Sequence, residues 1–161
     1  MSKELTHNIF ISTGEVSGDL IASHLIRELL LLNPSLKITA IGGKRVAETG
    51  VDVVFDSTEL GAIGIFECLP LLKKYFSFKR TMKKQFKKMK PDVAILIDAN
   101  GFNSGLAEQF KKSNVPAICF IPSQDWVFNK LSRLMAKLVL CTQRIICIFP
   151  QAAQYYRSIG A

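Results

Sequence analysis

Residues 92–97 read DVAILI, a near-continuous apolar run entered through Lys90-Pro91 and left through Asp98. A strand with so little polar alternation has to be covered on both faces, which places it inside a parallel sheet sandwiched by helices. Five further short apolar runs fit that frame: residues 8–12, 37–41 (closed by Gly42-Gly43), 51–55, 117–121 and 144–149. Helical segments separate several of them, at 19–32, around 45–48 and at 104–112. Ser17 stands as N-cap of the first of these, and Asn33-Pro34 ends it. Strands alternating with helices predict an α/β fold, a Rossmann-like, doubly wound and mainly parallel sheet. Ligands of such sheets sit outside the carboxyl ends of the strands. The informative stretches are therefore STGEVSGD, IGGKR, IDANGFN, IPSQDW and the residues after IFP.

A chain of 161 residues suffices for one domain with a substantial core and falls short of two. Its 48% hydrophobic and 21% charged content is that of an ordinary globular protein rather than a disordered one. Cys68, Cys119, Cys141 and Cys147 form no C-x-x-C pair and lie in apolar surroundings, which fits buried thiols in a reducing cytoplasm. Residues 1–7 are polar, the apolar stretch after them is too short for a signal peptide, and no apolar run of about 18 residues is long enough to span a membrane. Neither a metal nor another cofactor is expected, because no Cys/His/Asp cluster has ligand spacing. Ser12, Ser17 and Ser123 lack a G-x-S-x-G setting, so a hydrolytic triad is not expected either.

The first strand exit, STGEVSGD, has the glycines of a phosphate cradle without its spacing: it matches neither G-x-G-x-x-G nor G-x-x-x-x-G-K-[ST]. Gly14 and Gly18 let the main chain approach closely whatever sits there. Free N–H groups at the following helix start favour an anion, yet Glu15 and Asp19 would repel a bare phosphate. Carboxylates suit sugar hydroxyls, which donate hydrogen bonds to them. The plainer alternative puts Asp19 in the favourable first turn of a helix and leaves Glu15 solvated.

Several stretches together resemble the lipid-A-disaccharide synthase family. GEVSGD is similar to its G-E-x-S-G-D signature, and residues 42–70 to the stretch from G-x-x-M-x-x-x-G to M-G-x-x-E-V-L, with Glu67 at the glutamate. KPDVAILIDANGFN resembles K-P-D-x-x-x-x-I-D-x-P-D-F-N, and IFPQAAQYY stands where the family has F-P-F-E-x-x-x-Y. The match runs in order along essentially the whole chain. It departs at Asn100-Gly101 in place of P-D, at PSQDWVF in place of S-x-x-W-A-W, and at FPQA in place of FPFE.

The resemblance implies one half of a B-type glycosyltransferase, with two Rossmann-like halves facing a cleft. Such enzymes transfer a diacylated glucosamine from UDP to diacylglucosamine 1-phosphate, forming the β-1,6 disaccharide precursor of lipid A. Residues 1–161 would be the acceptor-side domain. The carboxyl-terminal nucleotide-sugar domain would be absent and the chain inactive alone. Inverting transfer needs a base for the acceptor hydroxyl. Asp98, the first polar residue after DVAILI, stands at the cleft mouth and matches the family's I-D position; the alternative is that it caps the next helix. Asn103 either hydrogen-bonds the sugar or caps that helix. Gly14, Glu15, Ser17, Gly18 and Asp19 would line the acceptor site, with Glu15 and Asp19 holding acceptor hydroxyls or orienting other cleft groups. Trp126, the only tryptophan, either stacks on sugar or acyl chain or packs in the protein.

The net charge of +8 comes from one segment. Lys73, Lys74, Lys79, Arg80, Lys83, Lys84, Lys87, Lys88 and Lys90 are accompanied by no acid, and the rest of the chain is close to neutral. Leu71, Tyr75, Phe78, Met82, Phe86 and Met89 recur at steps of three and four, one stripe of a helix. The lysines occupy the remaining arc, and Phe76 falls among them. A basic amphipathic helix of that kind reads as an element lying on an anionic membrane surface, and the resemblance implies that this is the cytoplasmic face of the inner membrane. A solvated basic face and a nucleic-acid-binding module are the alternatives, the latter without any helix-turn-helix, RRM or OB pattern to support it.

Overall fold

The computed structural model describes residues 7–57, 89–122 and 132–161. The basic segment from Lys73 to Lys88, Phe76, Glu67 and Trp126 lie outside the described residues.

The elements run β1 (Asn8–Thr13), α1 (Val16–Leu32), β2 (Lys37–Gly42), α2 (Lys44–Ala47), β3 (Asp52–Asp56), β4 (Val93–Ile97), α3 (Asn100–Lys112), β5 (Ala117–Phe120), α4 (Ser132–Cys141), β6 (Arg144–Ile146) and α5 (Pro150–Ser158). Among the described residues the six strands form one sheet in the order β3-β2-β1-β4-β5-β6, every neighbouring pair parallel. The α/β, Rossmann-like expectation holds.

Burial on both faces follows from the side-chain alternation of a strand. Ile9 and Ile11 of β1 point toward α1 and α2 and pack with Ala22, Ile26, Ile38, Ala40 and Val46. Phe10, between them, points the other way into a cluster with Leu96, Leu106, Phe110, Cys119 and Leu138 under α3 and α4. Its ring meets that of Phe110 at a centroid distance of 5.3 Å. Fully burying a side chain such as Ile26 contributes about 1.5–3 kcal/mol.

Several boundaries differ from expectation. Helix α1 begins at Val16 with Glu15, not Ser17, at the N-cap. Helix α3 begins at Asn100 rather than 104, so Asn103 lies inside its first turn and caps nothing. Strand β6 ends at Ile146, and Pro150 then opens α5 in the first turn, where its missing N–H costs nothing. Helices α4 and α5 were not anticipated. At the end of α1, the Asn33 side chain accepts from the Ser35 amide at 3.0 Å, a local turn that stops the helix.

Candidate active site

Strand order reverses between β1 and β4, and in a sheet of this order the ligand crevice opens there, beyond the strand ends. The register pairs Ser12 with Leu96 and Thr13 with Ile97, so STGEVSGD and IDANGFN leave the sheet side by side. Helices α1 and α3 both start at this edge. Their N-terminal amides carry partial positive charge, a setting that favours carboxylates. Glu15 and Asp98 are placed there by the two strand exits.

The glycines of the first exit serve approach within the protein. A Cβ on Gly18 would lie 2.1 Å from Thr13 Oγ1 and 3.6 Å from Asp98 Cβ, and one on Gly14 would lie 2.6 Å from Ala99 Cβ. Both glycines are buried. They let the first turn of α1 close onto the β4 exit.

Asp19 lies in the first turn of α1, as the plainer alternative has it. Its side of α1 faces α2, and it is only 3% exposed. Its carboxylate accepts from the backbone amides of Gly43, of Arg45 at 3.0 Å and of Val46 at 3.3 Å. These are amides at the start of α2, which would otherwise lack partners. The carboxylate that was expected to meet sugar hydroxyls holds a neighbouring helix instead.

Asp98 remains half-exposed at the crevice. Its Oδ1 accepts from the Ala99 amide at 2.8 Å, and the Ser17 hydroxyl stands 3.4 Å from Oδ2. Oδ2 is the less constrained oxygen and the one suited to take a proton from a hydroxyl. The backbone here is strained: Asp98 and Ala99 have φ of 51° and 45°, consecutive left-handed positions without glycine. Ile121, at the next strand exit, has φ of 52°. Such positions cost on the order of 1–3 kcal/mol each and concentrate at functional sites. The sequence carried no signal for them.

Asn103 is 1% exposed, and its side chain is fully engaged inside the protein. Nδ2 donates to the carbonyls of Ile97 at 3.0 Å and Asp98 at 2.8 Å, while Oδ1 accepts from the Ser12 hydroxyl at 2.8 Å. A direct bond to a sugar is not what this geometry supports. Ser12 was not anticipated as part of the site; its place on the Phe10 face of β1 aims it at α3. Among the described residues no group of three His, Cys, Asp or Glu side chains is placed to share a metal ion, and no helix is long and apolar enough to cross a membrane.

A parallel sheet in this order, with a half-exposed carboxylate between two helix N-termini at its switch point, has the architecture of a Rossmann-like half of the B-type glycosyltransferases. The chain belongs to the lipid-A-disaccharide synthetase family, whose model matches residues 9–160. It is 32% identical over 152 residues to the lipid-A-disaccharide synthase of Neisseria meningitidis serogroup B, covering 94% of this chain and 39% of that protein. To the synthase of Gloeothece citriformis it is 36% identical over 158 residues, covering 94% and 41%. To that of Coxiella burnetii it is 36% identical over 122 residues, covering 76% and 32%. The chain thus spans about two-fifths of the length of the first two of these curated relatives.

Proposed function

We propose that this chain is the acceptor-handling part of a lipid-A-disaccharide synthase, with Asp98 as the base. In the reaction it would serve, a hydroxyl of diacylglucosamine 1-phosphate attacks the anomeric carbon of a UDP-linked diacylglucosamine. The hydroxyl proton passes to Asp98 Oδ2, the new β-1,6 glycosidic bond forms, and UDP departs with the electron pair of the broken bond. The observation that carries this reading is the position of Asp98: partly exposed, at the β1/β4 switch point, with Oδ1 held by a main-chain amide and Oδ2 accepting a long bond from the Ser17 hydroxyl. Glu15 and Ser17, exposed at the start of α1, are proposed to meet acceptor hydroxyls.

The chain spans two-fifths of its relatives, so the UDP-sugar site is proposed to lie outside these 161 residues, and the chain by itself to bind acceptor without turnover. The basic segment from Lys73 to Lys90 would hold the protein on the anionic cytoplasmic leaflet, each lysine contributing up to about 1 kcal/mol. Acyl substrates would reach the crevice from there.

Two titrations test the assignment, one with diacylglucosamine 1-phosphate in neutral detergent micelles and one with UDP. Acceptor binding weakened by Glu15→Ala, without UDP binding, is the expected result. UDP binding without acceptor binding would overturn it. The second reading, a module using the same lysines on nucleic acid, is favoured only by the charge run. Binding of RNA or DNA with a steep salt slope, and no sedimentation with anionic vesicles, would establish it instead.

A further inference from the structure

We propose that Asn103 and Ser12 are positioning residues for Asp98: together they hold the turn after β4 in its left-handed conformation and so aim the carboxylate into the crevice. The inference rests on the reading of Asp98 as the base.

The Asn103 side chain binds two successive carbonyls of that turn, and its main chain makes the ordinary first bond of α3 to the next. Its side-chain Nδ2 donates to Ile97 and Asp98, and its backbone N–H donates to Ala99 at 2.9 Å. Carbonyls of consecutive residues in a strand point to opposite sides, so one side-chain amide gathers those of Ile97 and Asp98 where the chain turns left-handed, with φ of 51° at Asp98 and 45° at Ala99. Neither residue is glycine, so the conformation persists only where its surroundings over-determine it.

The amide orientation is dictated as well. Two carbonyl oxygens can face only the NH2 end, which leaves Oδ1 for the Ser12 hydroxyl. With both amide protons and the oxygen in use, and both residues buried to within 1% of full burial, the clamp has no capacity to spare for a ligand. It acts on Asp98 through the main chain. Gly14 completes it from the other side, since its missing Cβ makes room for that of Ala99.

The test is spectroscopic and uses the whole 161-residue chain, isotopically labelled. Backbone couplings and carbon shifts of Asp98 and Ala99 report whether each is left-handed, and the remaining amide spectrum reports whether the fold survives. Asn103→Ala and Asn103→Asp, which cannot donate to the carbonyls, should lose the left-handed signature at both positions while the sheet amides stay in place. Ser12→Ala should shift the same two residues by a smaller amount, and Ser12→Thr, which keeps the hydroxyl, should restore them. If the Asn103 variants fail to fold, the Ser12 pair decides. An unchanged signature at Asp98 and Ala99 in folded Asn103→Ala, or in Ser12→Ala when the former cannot be read, overturns the proposal. The reading of Asp98 as base fails separately. In that case Asp98→Ala would leave glycosyl transfer by the complete synthase unchanged, whatever the clamp does.

Discussion

The carboxylate of Asp19, on α1, accepts a hydrogen bond from the backbone amide of Arg45, on α2, at 3.0 Å, and the amides of Gly43 and Val46 converge on the same group. An acid in the first turn of one helix thus caps the next helix across the sheet face. Asp19→Ala leaves those amides buried without partners. A loss of about 1–3 kcal/mol is expected in urea denaturation. Acceptor affinity should fall no further than that unfolding explains; a selective loss of binding in a fully stable variant would return Asp19 to the ligand site.

Glycines at the crevice should separate sharply by position. Gly18→Ala drives a methyl into Thr13 Oγ1 and is expected to destabilise by about 1–3 kcal/mol. Gly101→Ala has nothing within 4 Å of the new methyl and lies in the first turn of α3. It should be neutral or stabilising by about 0.4–1 kcal/mol, because it restricts the unfolded chain. Thermal melts of the two variants side by side check both.

Glu108 joins α3 to α4. It accepts from Lys112 Nζ at 2.7 Å and pairs with Lys137. The Lys112 hydrogen bond first, and Lys137 next, hold its carboxyl well below the ordinary 4.5, at about 2. A depressed folded-state value means the contribution is present above 4.5 and is lost as pH falls toward about 2. Glu108→Gln should therefore be slightly less stable than the parent at neutral pH, and the two curves should converge across that acid window. The pair is solvent-accessible, so added salt should narrow the difference.

Burial pushes the Cys119 thiol up to about 12, with Cys147 and Asp98 adding to the effect. Cys147 is raised by burial too, but the nearby Arg157 opposes it. Alkylation of the folded chain at mildly basic pH, followed by peptide mass analysis, should modify Cys147 well before Cys119. Unfolding in urea should remove the difference.

Much of the architecture was legible because it rests on local patterns. The DVAILI run, the alternation of strands with helices and the strand-exit rule located β1, β4 and Asp98 within a residue or so. What escaped depends on partners far away in sequence. Nothing local distinguishes Asp19 facing a ligand from Asp19 facing α2, since the deciding amides are 24 to 27 positions on. Ser12 looked like the end of a strand, and its use becomes visible only once α3 lies beneath it. Helix α3 was expected four residues late because Asn100-Gly101 resembles a turn. Yet Asn100 is the first residue of that helix, the position where proline, the residue of the family pattern, is also preferred.

The links that shape the crevice join residues far apart along the chain: Ser17 to Asp98 across 81 positions and Ser12 to Asn103 across 91. During synthesis, α1 and β1 therefore leave the ribosome long before the residues that complete their site. Until β4 and α3 have emerged and docked beside β1, the Ser12 hydroxyl has water rather than Asn103 as its partner. High contact order of this kind slows folding. The crevice is complete only when β1, β4 and the start of α3 are all in place.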